Sequence, residues 1–530
     1  MIRFIRGMLL IVATVGALDV TPVLLAATPD VRPLSQQIDE QLEAVIVARG
    51  ATSVPLADDH EFLRRVTLDL TGRIPTVFEV RQFAADTHPE KRRRLVEQLL
   101  ERPRHAAHLA RVWRDWLIPE LTTIPEAQYF QPGFEAWLAD KFRQHVGYDQ
   151  IVRELISVPL PENKEQAEYV FRAANRPNAL AFFAVKEAQP DKLAATATRA
   201  FLSIQLECAQ CHAHPFAEWK QEQFWNQAAF FAGIERQGTG LFAPLTEDPS
   251  RRSVSPGEGK TLVTPAFLFG SQLPLDQKTA SRVSFAAWMT APDNRYFARS
   301  AVNRVWALLF GVGLVQPIDD FHENNPPSHP EILDQLADSF VDSGHDLDFV
   351  FRVLCQTKAY QRTSAGSPTD VTDARLFARM LTKGLSADQA WDSLALAVGW
   401  VHTDERADSE PSPRAQGRRR FMEHFTPRSW PAEPETFVSQ ALSLMNGTLL
   451  ERATTLDQSP TLTAAVESPA WTNEERLTVL YLATLSRPPR SAEFGQLTRF
   501  LARDGQQQQS ERFEDIFWML LNSSEFRLNH

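Results

Sequence analysis

The chain has 530 residues, 43% of them hydrophobic, with 55 basic and 66 acidic side chains and a formal net charge of -11. That composition excludes a disordered, collagen-like or disulfide-scaffold chain, and the length points to more than one domain. The acidic balance excludes a general basic field that would gather nucleic acid, and the local run Lys91-Arg92-Arg93-Arg94 reads as a solvated helix face.

In chain order, the first stretch, MIRFIRGMLLIVATVGALDVTPVLLAATPD, sets Arg3 and Arg6 ahead of an apolar run from Met8, with small residues at Ala17, Ala26 and Ala27. This is the grammar of a secretory signal peptide, here over 1–27. Asp19 and Pro22 interrupt the run before the roughly 20 apolar residues that a spanning helix needs. No membrane span is therefore expected after cleavage, and a periplasmic or secreted location is. Such a compartment tolerates disulfides, yet three cysteines cannot staple 530 residues.

After Pro33 the pattern turns helical. Asp58 with Glu61 and Thr76 with Glu79 have capping-box spacing, and Gly72 follows the first apolar series as a stop. Trp113, Trp116, Phe134, Trp137 and Phe142 recur at helical spacing and read as core. DKLAATATRAFLSIQLE reads as a helix entering the segment CAQCHAHPF and EWKQEQFWNQAAFFAGI as one leaving it. Between about Glu235 and Thr264, Gly, Pro, Ser and charge dominate, which marks a linker or small insertion. Beyond it, Phe297, Ala301, Val305, Trp306 and Leu309 make one helical face that Gly311 can end. Ser328 stands three residues before Glu331 as a further cap, Cys355 reads as an inert core thiol, and Asp404 to Arg419 reads as a surface loop. The expected fold is mainly α: helical domains at 28–240 and 264–530, joined by a Gly/Pro/Ser-rich segment at 241–263, with little β structure.

Cys208-Ala-Gln-Cys211-His212 meets the C-x-x-C-H pattern of c-type haem attachment. One turn between the thiols lets both reach one porphyrin edge while the imidazole swings under the iron. Chance predicts such a match on the order of once in a few thousand chains of this composition. A low-spin carrier also needs a sixth ligand; His214 is too close in sequence to cross the ring, and Met445 or His322 could serve only if the second half folds over the first. Two other readings stay open. Cys208, Cys211 and His214 could ligate zinc with one distant residue, or Cys208 and Cys211 could form a local disulfide or thiol pair with no cofactor at all.

The densest polar cluster elsewhere is IDDFHENNPPSHPE, with Asp319, Asp320, His322, Glu323, Asn324, Asn325 and His329. It could bind a hard cation or supply acid and base groups, but it meets no known loop spacing and reads first as a capped helix start. GEGKT at 257–261 lacks the earlier glycine of a phosphate loop, since Val254 stands there. No G-x-S-x-G, H-E-x-x-H or G-x-G-x-x-G motif supports a common hydrolase or dehydrogenase.

DDHEFLRRVTLDLTGRIPT, YDQIVRELI and RAFLSIQLECAQCHAHPFAEWKQEQFWNQAAFFAG resemble the secreted cytochrome-like domain of unknown function found in planctomycete bacteria. NRVWALLFGVGLVQPIDDFHENNPPSHPEILDQLADSF, KAYQRTS, QALSLMNG and LLNSSEFRLNH resemble the planctomycete-specific domain that usually follows it. The resemblance implies an exported two-domain protein with Cys208, Cys211 and His212 in the cytochrome-like positions, and it names no reaction. The resemblance implies that longer relatives often begin with a further cytochrome c domain carrying its own C-x-x-C-H, and the 530 residues hold one such motif, at Cys208 to His212. Neighbouring genes in that lineage often encode secreted sulfatase-like proteins. By that association the implied partners are a redox protein or a sulfatase-like protein, and the implied setting is the use of complex, sulfated polysaccharides.

Overall fold

The computed structural model describes residues 30–163, 165, 176–213, 217–256, 261–270, 279–366, 373–400, 417–418, 421–422, 448–502 and 506–530. The signal-peptide reading at 1–27 and nearly all of the 404–419 loop lie outside them. The fold is mainly α, 61% helix against 3% strand. No helix among the described residues is long and apolar enough to cross a membrane.

Local chemistry places the helix ends. Asp58 accepts the Glu61 amide at 2.9 Å to start the Asp59–Thr71 helix, and Thr76 with Glu79 closes a full capping box on Val77–Ala85. Gly72, at φ 69°, ends the first helix, and a Cβ there would lie 2.5 Å from His108 Nδ1. The expected cap at Ser328 is displaced by one residue. His329 is the N-cap and makes no side-chain capping bond, and Pro330 takes the first helical position, where its missing N–H costs nothing. Lys91 and Arg92 are not the solvated pair expected: both hold Asp59, at 2.6 and 3.0 Å, and Arg92 lies over the Phe62 ring, while Arg93 and Arg94 are exposed.

The aromatic stripe is core as read. Trp113 on the Pro103–Leu117 helix meets Trp116 at 4.7 Å and Phe142 of the Gln131–Arg143 helix at 5.5 Å between ring centres. The segment at 241–263 supplies the second strand of a hairpin, β1 Ile234–Arg236 antiparallel to β2 Leu245–Glu247. It marks no gap in the packing, because one contiguous apolar core draws residues from Val31 to Met380, and Leu482, and so from both sides of the hairpin.

The halves also exchange polar contacts. The Tyr148 amide donates to the His345 carbonyl at 2.9 Å, and Asp348 accepts from His105 Nε2 at 3.0 Å and His145 Nδ1 at 2.9 Å. Arg104 and Arg111 both hold the buried Asp392 at 2.7 Å.

The Asp59–Thr71 helix joins everything. Phe62, Val66 and Leu70 face the first core, and Leu68 faces a second formed with residues of 387–526. Its three buried charges reach the far end of the chain. Arg64 donates to the carbonyls of Thr484 at 3.1 Å, Glu525 at 3.1 Å and Phe526 at 2.8 Å. Arg65 donates to Tyr360 at 2.7 Å and Arg362 at 2.9 Å, and Asp69 accepts from Tyr360, Lys383 and Asn529.

A buried histidine beside this helix gives the fold an acid-sensitive point. Burial, with His105 and Arg111 nearby, pushes the His108 imidazole down to about 3, and its Nε2 has no hydrogen-bond partner. The folded value lies below the unfolded 6.5, so its contribution is complete above pH 6.5 and is lost as pH falls towards about 3. The loss cannot exceed about 1.4 kcal/mol per pH unit. Denaturant midpoints at pH 7.5 and pH 5 should therefore converge in His108→Gln relative to the parent; an unchanged gap would assign the acid loss to other groups.

Candidate functional site

The Pro190–Leu202 helix ends at Ser203, which turns the chain through a left-handed residue at φ 55°. A short 3-10 turn, Leu206–Ala209, follows, then the Cys211-His212 turn, and the chain leaves through the Gln221–Ala229 helix. Leu206 and Ala209 are fully buried and anchor the turn. The residues between and after them consequently face out: Cys208, Cys211 and His212 are all exposed.

Both cysteines are free thiols, so the local disulfide reading is not realised in this structure. The peptide groups of the turn are pinned instead. Gln221 Nε2 donates to the carbonyls of Gln210 and Cys211, each at 3.1 Å, and Trp225 Nε1 donates to Gln210 at 3.1 Å. His212 Nδ1 lies 2.7 Å from the Ala213 carbonyl. A carbonyl only accepts, so Nδ1 carries the proton and the neutral ring keeps its lone pair on Nε2. His214 and Met445 lie outside the described residues. Among the described residues there is no group of three or more His, Cys, Asp or Glu side chains that could hold a metal ion; the zinc reading rests on His214, outside them.

Burial, together with the nearby carboxylates of Glu207 and Asp320, pushes the Cys208 thiol up. This is the reverse of a reactive thiolate, which needs positive surroundings. Cys355 is fully buried, its thiol pushed up well above the usual range, and it is the inert core residue expected.

Beneath the corner lies a charged layer that ties in the IDDFHENN loop. Arg199, on the helix that enters the corner, holds Asp319 at 2.6 Å and Glu207 at 2.9 Å, and Gln205 Nε2 donates to Asp319 at 3.2 Å. The Phe321 amide donates to the Ser203 carbonyl at 2.7 Å, and the Glu218 amide donates to Glu323 at 3.0 Å. The second half does fold over the first at this point, and the two polar motifs picked out separately in the sequence form one site.

The loop is not an acid–base pair in waiting. Asp319 is fully buried and neutralised by Arg199, and His329 is buried against Phe377, with its imidazole pushed down by burial. His322 Nδ1 accepts the Asn324 amide at 3.2 Å, which leaves Nε2 as the protonated nitrogen, 3.5 Å from Asp320. A ring with both nitrogens so engaged offers no lone pair, and His322 is a poor sixth ligand in this arrangement. Sequence reading missed Arg199 and Glu207. Nothing in the helical pattern around Arg199 signals a partner 120 positions away.

Residues 37–236 match PSCyt2, a protein family of unknown function (DUF1549), and residues 281–429 match PSD1, also of unknown function (DUF1553). The cysteine corner falls in the first match and the loop packed beneath it in the second. No curated protein and no solved structure matches the chain.

Proposed function

We propose, for a chain that carries a PSCyt2 domain followed by a PSD1 domain, that Cys208 and Cys211 hold c-type haem through thioethers with His212 as the proximal ligand, in an exported protein that serves redox chemistry. The observation that carries this is the His212 tautomer: Nδ1 is tied to the Ala213 carbonyl and Nε2 is left as the free donor beside two exposed thiols. A hydrogen bond of this kind orients a metal-bound imidazole and raises its basicity. The haem would supply one-electron transfer or, with the sixth position open, small-ligand chemistry. The chain's own share is to hold the turn rigid through Gln221 and Trp225. It also surrounds the site with the carboxylates of Glu207, Asp320 and Glu323, which favour the more positive, oxidised state.

A second reading is supported by the same pinning. Because Gln221 and Trp225 fix the turn through main-chain carbonyls alone, the corner keeps its shape with no cofactor. The protein would then be a binding or scaffold component in polysaccharide use, working beside a sulfatase-like partner. The visible spectrum separates the two. Protein from a host that matures c-type cytochromes is expected to show a Soret band and to keep haem on a denaturing gel, with Cys208→Ala weakening or abolishing it. Colourless protein, from a host that matures a control cytochrome, overturns the haem reading and leaves the scaffold.

A further inference from the structure

The last strand pair sets a nucleophile opposite an amide. β3 Lys383–Gly384 runs antiparallel to β4 Leu528–Asn529, with Lys383 directly across from Asn529. Opposed residues on neighbouring strands point to one face, and here both side chains reach a single oxygen. Asp69 Oδ1 accepts from Lys383 Nζ at 2.7 Å and from Asn529 Nδ2 at 2.7 Å. Tyr360 donates to the other oxygen, Oδ2, at 2.8 Å. Asp69 and Asn529 are each only 2% exposed, and Asn529 Oδ1 is buried with no hydrogen-bond partner.

We propose that Lys383 and Asn529 are joined by an intramolecular amide bond, formed without an enzyme, with Asp69 as the catalytic carboxyl. Lys383 Nζ attacks Asn529 Cγ; the Nζ–Cγ bond forms and the Cγ–Nδ2 bond breaks. Asp69 takes a proton from the lysine ammonium, which frees the nucleophile, and returns it to the departing nitrogen; the second proton, shed by the attacking nitrogen once the Nζ–Cγ bond has formed, passes to the departing nitrogen through the same carboxyl. One ammonium ion leaves, Asp69 ends as it began, and nothing is oxidised or reduced.

Each feature of the site serves that step. Burial pushes the Lys383 amine down and the Asp69 carboxyl up, which brings the two towards proton exchange. The carbonyls of Leu308 and Leu309, at 2.9 and 2.6 Å from Nζ, hold the amine in place, and Tyr360 fixes the carboxyl as a positioning residue. Rotation of the Asn529 amide would bring its unpartnered Oδ1 to the protonated Asp69, whose O–H then polarises the carbonyl under attack. Water, the competing nucleophile, is excluded by the packing.

Peptide mapping of the intact, folded chain tests this by tandem mass spectrometry. The parent protein, held at neutral pH, is expected to yield a branched peptide joining Lys383 to Asn529, lighter by one ammonia than its two parts. Lys383→Arg and Asn529→Ala should abolish it, and Asp69→Asn should abolish it while leaving both the amine and the amide in the chain. Recovery of the two linear peptides at their unmodified masses, or of Asn529 merely deamidated, overturns the proposal. The parent measurement decides by itself, so a variant that fails to fold cannot leave the matter open.

Discussion

Arg64→Met is expected to lower the stability of the chain by about 3 kcal/mol or more, since each buried carbonyl left without a donor costs about 1–3 kcal/mol. The guanidinium is 1% exposed and serves the carbonyls of Thr484, Glu525 and Phe526 together. Burial pulls it down to about 10, so it remains a cation at neutral pH. Methionine fills much of the volume but donates nothing, and three oxygens would stay dry and unpaired. Arg64→Lys should recover only part of the loss, because an ammonium cannot reproduce the fork. Arg93→Ala, at an exposed ion pair, is the matched control, with a change within about 0.5 kcal/mol. Denaturant midpoints of the three variants check this; a shift in Arg64→Met no larger than in the control would contradict it.

Asp319→Ala should cost a comparable amount, about 3–5 kcal/mol, and its effect should fall on the cysteine corner. Asp319 is fully buried, takes the Arg199 guanidinium at 2.6 Å and accepts from Gln205 at 3.2 Å. Its removal leaves Arg199 paired with Glu207 alone and frees the loop that covers the Ser203 turn. Limited proteolysis is expected to cut between Ser203 and Gln221 sooner than in the parent. Combining Asp319→Ala with Arg199→Met should cost less than the sum of the two single changes, because the Arg199–Asp319 ion pair is lost in each of them and is counted twice in that sum. Strict additivity in that cycle would show that the pair does not hold the corner.

Much of the helical skeleton was legible because its signals are local. The caps at Asp58 and Thr76 and the stop at Gly72 depend on neighbours three or four residues away, and the stripe from Trp113 to Phe142 depends only on period. The C-x-x-C-H spacing was equally visible. Its exposure and the His212 tautomer were not, because they depend on Leu206, Ala209 and Ala213 placing the chain in space. Ser328 misled because two local rules competed there and proline at the first helical position won. The segment at 241–263 was visible as a change in composition, yet composition carries no trace of the core shared across it. The least legible group was Asp69, Lys383 and Asn529. Its members stand 314 and 460 positions from the aspartate, and no pattern within one helix or strand refers to the others.

The clamp made by Arg64 also dictates an order of events during synthesis. Its acceptors at Thr484 and Phe526 follow it by 420 and 462 positions. The helix thus carries a buried cation whose partners are synthesised long after it. Closing so long a loop costs chain entropy before any contact repays it, and folds dominated by distant contacts form slowly. Leu68, on the same helix, stays uncovered until residues of 387–526 have been made.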